Sequence, residues 1–424
     1  MGAGRTRDAR GRRGPGIRAR DLTGLAYTDA RGRIYYDDTR SPLADGGIER
    51  RPRREELIPA PPGAVTTMLP GRMPLLVGGG VAARRTALAA LLPAGYTRLL
   101  LPAYRTQPDA PALPLFGYTF ACVVDDELFV AAMRTDESED WTPRYFGEGE
   151  LEALLHARQA EDPRNRTLAQ LAVCSRDYGC FTAQNVFLER GEAALPVSPK
   201  CNAACVACIS ELAPDAGMPS PQTRVSFEAD ADDLARIAIR HLEHVDEGIV
   251  SFGQGCEGEP LLRVTTIERT IAKVRAARSN GTINLNTNGS LPKSLGRLID
   301  AGLQAVRISL NSFRPDVYAA YYRPTGYELD DVLESIALAA DRGLRVSLNR
   351  LTHPGVTDER AEVETLERFL TAHRVAMVQT RTLNIDPERY FAQVGRPVEP
   401  LGMREALLRI ERLGVGLGNF THTH

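Results

Sequence analysis

The sequence is poor in lysine and in long apolar runs. Lysine occurs only at Lys200, Lys273 and Lys293, so nearly all of the 52 basic residues are arginine. With 54 acidic residues the formal net charge is -2, which argues against a nucleic-acid footprint spread over the whole surface. No run of about 18 apolar residues occurs, so no membrane span is predicted.

The start of the chain also lacks the apolar core of a signal peptide. Its first 20 residues are rich in Arg and Gly, a composition that favours a disordered tail over residues 1–21. Without a signal peptide or a membrane span, the sequence predicts a cytoplasmic protein.

Cysteine is sparse and unevenly spaced. The chain has 7 cysteines, an odd number that does not suit a secreted disulfide framework. Three of them, Cys201, Cys205 and Cys208, have the spacing CxxxCxxC. Thiolates are the usual ligands of iron–sulfur clusters, and three of them leave one iron of a four-iron cluster open for chemistry. A structural zinc site needs four ligands, and no fourth Cys or His lies at zinc-finger spacing.

The pattern of the chain changes near residue 195. Before it, a hairpin is predicted over 115–134, turning at Asp125-Asp126, and helices over 148–160 and 167–174. These mixed patterns predict a small α+β domain of unknown role over 22–192. The segment 78–83 follows the pattern GxGxxA, but no acidic residue occurs between Ala83 and Gln107. We therefore interpret it as a helix-starting turn and not as a dinucleotide site.

After residue 195, strand patterns and helix patterns alternate. Strands are predicted at 194–198, 248–253, 282–286, 305–311, 345–351 and 375–383. Helices are predicted at 232–245, 261–278, from 292, and at 329–341, 358–371 and 403–413. Six β/α units imply parallel strands and are too few for an eight-stranded barrel. The sequence therefore predicts a partial (β/α)6 barrel over 193–398, followed by a C-terminal helix and tail over 399–424.

The cysteine spacing, directly after the first strand of this barrel, resembles the signature of the radical S-adenosylmethionine (radical SAM) superfamily. The resemblance implies that Cys201, Cys205 and Cys208 hold a 4Fe-4S cluster whose open iron binds S-adenosylmethionine (SAM). It implies reductive cleavage of SAM to methionine and a 5′-deoxyadenosyl radical that abstracts hydrogen from a substrate. A low-potential electron donor such as flavodoxin or ferredoxin is then required. The family often carries an aromatic residue before the third cysteine, where this chain has Ala207.

Two further segments resemble elements of the same family. Glu257-Gly258-Glu259-Pro260, after the second strand, is similar to its Gly-Gly-Glu-Pro element. Carboxylate and carbonyl oxygens at a strand end suit an ammonium group, so Gly258 and Glu259 are predicted to contact the cofactor. Asn286-Thr287-Asn288-Gly289, after the third strand, resembles its Thr-Asn-Gly turn. Asn288 is predicted to bind the cofactor, and an ordinary Asn-Gly turn is the alternative.

Polar residues alternate along the fourth and fifth strands. Arg307, Ser309 and Asn311 share one side, and Ser347 and Asn349 repeat the pattern. Polar groups inside a barrel are costly unless they meet a ligand or each other. In the family a serine at this place contacts the ribose of SAM, so Ser309 is predicted to bind the cofactor, together with Asn311 and Asn349.

The remaining cysteines have two interpretations. Cys256 adjoins the predicted cofactor element and is a candidate catalytic residue, as a hydrogen-atom donor. Together with Cys122, Cys174 and Cys180 it is also a candidate ligand of a second cluster. The alternative is that these are buried thiols with a packing role.

Two functions of other classes compete with the enzyme. One is a non-catalytic iron–sulfur protein that binds SAM or carries electrons on the same fold, and the other is a zinc-dependent module. The intact Gly258-Glu259 and Ser309 favour the enzyme, because an electron carrier needs no cofactor cradle. The substrate stays open between a peptide or protein, an RNA and a small metabolite.

Overall fold

The computed structural model describes residues 23–136, 146–147, 149–277 and 280–419. The predicted tail over residues 1–21 lies outside these ranges. By their contacts, the described residues form two compact units. The first comprises the described residues among 23–136, 352–364 and 381–409, and the second those among 146–351, 365–380 and 410–419. The domain boundaries inferred from the sequence stay predictions.

The first unit is built mainly of antiparallel strands. They are β1 (Leu25–Thr28), β2 (Ile34–Asp37), β3 (Ala44–Asp45), β4 (Glu49–Arg50), β5 (Leu57–Pro59), β6 (Val65–Leu69), β7 (Arg72–Pro74), β8 (Thr86–Leu91), β9 (Tyr96–Arg98), β10 (Leu101–Pro102), β11 (Tyr104–Thr106), β12 (Thr119–Val124) and β13 (Glu127–Arg134). The largest sheet has eight strands, in the order β2-β1-β8-β12-β13-β5, with β6 paired to β8 and β9 to β13.

Strands β12 and β13 form the predicted hairpin. Their pairing ends at Val124 and Glu127, so the turn consists of Asp125 and Asp126. Both turn residues have positive φ, 51° and 68°, as the favoured two-residue hairpin turn requires. The position of the turn is thereby confirmed.

The glycine-rich segment 78–83 does not begin a helix, so that prediction is wrong. Gly78, Gly79 and Gly80 have φ values of 89°, 98° and 91°, far from the right-handed helical region. The amide of Leu76 donates to the carbonyl of Gly80 at 3.2 Å, which closes a turn, and the next element is strand β8. Glycine adopts positive φ without steric cost, and here that freedom serves a turn between strands.

A buried ion pair joins distant segments of the first unit. The Nη2 of Arg72 lies 3.1 Å from the Oδ2 of Asp386, and both side chains are almost fully buried. The same carboxylate oxygen accepts the amide of Leu113 at 2.9 Å, and its Oδ1 accepts the amide of Glu388 at 3.1 Å. Asp386 therefore neutralises a buried cation and satisfies two backbone donors at once.

We predict that Asp386→Asn destabilises the protein by about 3 kcal/mol. The buried charge of Arg72 would keep only Glu388, a more exposed carboxylate whose Oε2 lies 3.6 Å from the Arg72 Nη2. Asp177→Asn is the control, since Asp177 pairs with Arg176 at 2.7 Å on the exposed surface, where ion pairs contribute little. Urea unfolding followed by circular dichroism compares the two variants with the wild type. Equal midpoints for both variants would contradict the prediction.

The second unit contains a parallel sheet of seven neighbouring strands in sequence order. They are β14 (Glu192–Leu195), β15 (Ile249–Phe252), β16 (Thr282–Thr287), β17 (Ala305–Leu310), β18 (Arg345–Thr352), β19 (Met377–Thr382) and β20 (Gly416–Gly418). The first six correspond to the predicted strands, and the predicted partial barrel is confirmed. Strand β20 escaped prediction because two of its three residues are glycine, which gives no strand pattern.

The helices that the structure describes are short. They are α1 (Glu150–Glu161), α2 (Arg166–Asp177), α3 (Phe181–Leu188), α4 (Ala231–His244), α5 (Val264–Ala277), α6 (Pro292–Asp300), α7 (Pro315–Tyr322), α8 (Leu329–Asp341), α9 (Arg360–Ala372), α10 (Pro387–Val394) and α11 (Met403–Arg412). Within the described residues, no helix has both the length and the apolar composition that a membrane crossing needs.

The parallel strands carry apolar residues on one face and polar residues on the other. Val250, Ile283 and Val306 are buried on one face. On the opposite face Ser251 lies beside Asn284, and Asn286 beside Arg307. This alternation follows from the two-residue period of a strand, and it gives the sheet a polar inner surface.

Candidate functional site

The cysteine loop leaves the carboxyl end of β14 and is fixed by backbone contacts. The amides of Ala204 and Val206 donate to the carbonyls of Tyr322 and Tyr321, each at 3.0 Å. The amide of Thr325 donates to the carbonyl of Asn202 at 2.8 Å. The loop is therefore paired with the end of α7 and the residues that follow it.

Cys201, Cys205 and Cys208 are free and partly exposed on this loop. Burial raises the pKa of Cys201 to about 11, with a further contribution from the charge of Glu259. Burial also raises the pKa of Cys205, helped by the charges of Cys208 and Cys201. Within the described residues, however, no three Cys, His, Asp or Glu side chains are grouped as a metal site. The assignment of the three cysteines as cluster ligands therefore stays a prediction.

The chemistry of the donors fits an iron–sulfur cluster. Three thiols that lie on one loop, and whose charges influence each other, are the ligand set that such a cluster takes. The hydroxyl of Tyr322 is buried and has no hydrogen-bond partner within the described part of the chain. Burial raises the pKa of Tyr322, and the charge of Cys205 is among the further causes, so this hydroxyl lies near the thiols.

The Gly258-Glu259 segment pairs directly with the start of the cysteine loop. The amide of Gly258 donates to the carbonyl of Ser198 at 2.7 Å, and the amide of Glu259 to the carbonyl of Lys200 at 2.8 Å. A Cβ at position 258 would lie 2.0 Å from the carbonyl oxygen of Lys200 and 2.9 Å from the nitrogen of Cys201. Only glycine permits this approach.

The Glu259 carboxylate accepts three hydrogen bonds from protein donors. It accepts the amide of Leu261 at 2.9 Å, the hydroxyl of Thr287 at 2.5 Å and the amide of Asn288 at 2.8 Å. Burial raises its pKa to about 7, and these hydrogen bonds oppose the rise. The carboxylate thus joins the loops after β15 and β16, and any contact of Glu259 with the cofactor stays a prediction.

Glu257, in place of the family's first glycine, joins the loops after β14 and β15. Its Oε2 accepts the amides of Val197 and Ser198, both at 2.7 Å. Its Oε1 accepts the amides of Gly253 at 2.8 Å and Gln254 at 2.7 Å. Burial raises the pKa of Glu257 to about 7, and the four amides oppose the rise. Sequence reasoning missed this role, although an acidic residue at a glycine position was the available signal.

Asn288 reaches the cysteine loop through its side chain. Its Nδ2 donates to the Oδ1 of Asn202 at 2.9 Å, and its Oδ1 accepts the amide of Ser290 at 3.0 Å. The Nδ2 of Asn202 in turn donates to the hydroxyl of Ser290 at 2.9 Å. The third strand end is therefore tied to the residue that follows Cys201.

The inner polar residues fall into two groups. The first group lies toward the amino ends of the strands, where Glu192 accepts from the Nη2 of Arg307 at 2.9 Å and from the hydroxyl of Ser251 at 2.5 Å. In the second group, the Nδ2 of Asn349 donates to the hydroxyl of Ser309 at 3.0 Å. The Oδ1 of Asn349 has no hydrogen-bond partner within the described part of the chain. The predicted pair of Ser309 and Asn349 is thus brought together, nearer the carboxyl edge.

Asn311 also contacts a helix. Its Nδ2 donates to the carbonyl of Val317 in α7 at 3.3 Å, and the residue is fully buried. The contact fastens the end of β17 to the helix that supports the cysteine loop. Cofactor binding by Asn311, Ser309 and Asn349 stays a prediction.

Cys256 is buried beside Cys174. A hydrogen bond between their thiols lowers the pKa of Cys174 and raises that of Cys256. The amide of Cys180 donates to the carbonyl of Cys174 at 3.1 Å, while Cys122 lies on β12 in the first unit. A second cluster and a hydrogen-atom donor at Cys256 stay predictions.

The fold and the loop define a class of protein: a parallel β/α barrel with three cysteines at the carboxyl edge of its strands. Residues 195–367, which run from the end of β14 into α9, match the family model of the Radical SAM superfamily. This region of the chain belongs to the radical SAM superfamily.

Two curated proteins illustrate the similarity. The FeMo cofactor biosynthesis protein NifB of Klebsiella pneumoniae is 26% identical over 246 residues, 54% of this chain and 51% of that protein. A GTP 3',8-cyclase of Streptomyces coelicolor is 30% identical over 171 residues, 39% of this chain and 46% of that protein. The chain therefore spans about half the length of these relatives.

One similar solved structure is that of a radical SAM methyltransferase from Sphaerobacter thermophilus. The alignment covers 53% of this chain and 64% of the methyltransferase chain. The sequence identity is 17% and the TM-score is 0.38.

Proposed function

We propose that the protein is a radical SAM enzyme that binds a 4Fe-4S cluster through Cys201, Cys205 and Cys208 and cleaves SAM reductively. When bound, the cluster supplies the electron that breaks a carbon–sulfur bond of the SAM sulfonium. The observation that carries the proposal is the attachment of the cysteine loop to Gly258-Glu259 and Asn288. These hydrogen bonds connect the cysteine loop, the Gly258-Glu259 segment and the turn at Asn288.

The residues of the chain have separate tasks in this proposal. Glu257 and Glu259 hold three strand-end loops together, so that the cysteines and the SAM site keep a fixed geometry. Ser309 and Asn349 present a hydroxyl and an amide for the ribose, and the Asn349 Oδ1 that has no hydrogen-bond partner within the described part of the chain is available to accept from it.

The proposal includes a reducing partner and a reducing compartment. A low-potential donor, flavodoxin or ferredoxin, supplies the electron, and the cytoplasm keeps the free thiols reduced. Of the two curated relatives, one is named for FeMo cofactor biosynthesis and the other for the cyclisation of GTP. The proposal therefore extends to SAM cleavage and leaves the second substrate open.

The test uses the full chain, reconstituted with iron and sulfide without oxygen. Iron, sulfide and zinc are measured, and SAM is then added with dithionite. We expect iron and sulfide near four each per chain, as a 4Fe-4S cluster requires, and formation of methionine and 5′-deoxyadenosine, detected by mass spectrometry. A cluster that binds SAM without cleaving it would favour the non-catalytic iron–sulfur protein. Zinc without iron would refute the cluster.

A further inference from the structure

Arg224 lies against the sulfur of Cys208, in the segment between the cysteine loop and α4. Its Nη2 is 3.4 Å from the Cys208 Sγ, and its Nε donates to the hydroxyl of Ser210 at 3.3 Å. That hydroxyl is itself 3.6 Å from the Cys208 Sγ. The guanidinium and the hydroxyl thus form a polar group around one predicted ligand.

The position of Arg224 is fixed by the backbone on both sides. The amide of Val225 donates to the carbonyl of Cys256 at 2.8 Å, and the amide of Gln222 to the carbonyl of Ile209 at 3.0 Å. The segment therefore returns to the cysteine loop where Arg224 stands, and only 12% of the Arg224 side chain is exposed.

The charge of Arg224 is only partly neutralised. Its Nη1 pairs with Glu211, whose side chain is 65% exposed, and water screens a carboxylate in that position. The Nη2 of the same guanidinium lies against the Cys208 sulfur, on a residue that is only partly exposed. A positively charged side chain therefore lies beside the sulfur of one proposed ligand.

We propose that Arg224 is a positioning residue for the cluster: it orients Cys208 and raises the reduction potential of the bound cluster. This inference rests on the proposed function. Reduction adds one electron and therefore one negative charge, which a nearby cation stabilises. Hydrogen bonds to the cluster sulfurs and net charge are among the main determinants of such potentials.

The test compares Arg224→Met, which removes the charge and the donors, with Arg224→Lys, which keeps the charge. Arg297→Met is the control, because it removes the same charge from an exposed pair with Glu268. Each full-length protein is reconstituted without oxygen, its folding is checked by circular dichroism, and its iron content is measured. The cluster is then titrated with dithionite, one electron at a time, and followed by electron paramagnetic resonance.

We expect the Met variant to shift the ratio of reduced to oxidised cluster at least tenfold toward the oxidised form, a potential about 59 mV lower. The Lys variant should recover most of the shift, and the control should match the wild type. A folded Met variant that loads less iron than a normally loading Lys variant also supports the role.

Two results would overturn the inference. One is a Met variant with wild-type iron content and wild-type potential. The other is an unchanged potential with a raised KM for SAM, which would make Arg224 a SAM ligand instead. A wild-type chain that takes up no iron refutes the proposed function, independently of Arg224.

Discussion

Replacement of Cys201, Cys205 or Cys208 by alanine is expected to reduce SAM cleavage to the rate measured without protein. Each replacement removes one of the three proposed thiolate ligands. A cluster held by only two would bind less tightly and would lose the geometry of its open iron. Iron content after anaerobic reconstitution and 5′-deoxyadenosine formation with dithionite measure the two losses.

Cys122→Ala is the matched control for these variants. Cys122 is a buried thiol on β12, outside the cysteine loop, so its loss removes no ligand of the proposed 4Fe-4S cluster. A loss of iron in this variant would favour the second cluster. We expect iron content and SAM cleavage close to those of the wild type. If one of the three loop variants keeps full iron and full cleavage, that cysteine is not a ligand.

Gly258→Ala is expected to destabilise the protein and to reduce its iron content severalfold. The new Cβ would lie 2.0 Å from the Lys200 carbonyl oxygen and 2.3 Å from its carbon. Both are backbone atoms that cannot rotate away. Relief requires the strand-end loops to separate, which breaks the hydrogen bond between Glu259 and Lys200 and displaces Cys201. Overpacking of this kind costs about 1–3 kcal/mol.

Gly296→Ala provides the control, because a Cβ there meets its nearest atom, on Leu338, at an ordinary 3.7 Å. Gly296 lies inside helix α6, where alanine is favoured over glycine by about 0.5–1 kcal/mol. The two changes should therefore move the unfolding midpoint in opposite directions. A Gly258→Ala protein with normal stability and normal iron content would show that the loops adjust freely.

The barrel could be predicted because its signals are local. Helix α8 begins and ends at Leu329 and Asp341, as its apolar stripe and the following glycine indicate. The parallel strands were predictable because polar and apolar residues alternate along them or because they form short apolar runs. The first unit was harder to predict, since most of its strands have two to four residues and carry no clear period.

The site was predicted by residue type more than by contact. The spacing CxxxCxxC, the Gly-Glu-Pro element and the serine of β17 are all visible in the chain. Their partners are not, because Asn288 meets Asn202 across 86 positions of sequence and Glu257 meets Ser198 across 59. Arg224 carried no motif at all and emerged only through its distance to Cys208.

The sequence by itself determined the barrel, the three thiols of one loop and the family to which the region belongs, since these depend on spacing along the chain. The tertiary structure alone decided which donors surround each buried carboxylate, that Cys256 lies beside Cys174, and that Asn349 meets Ser309. Those contacts depend on how the ends of separate strands come together, and a hydrogen bond formed across the fold leaves no pattern in the order of residues.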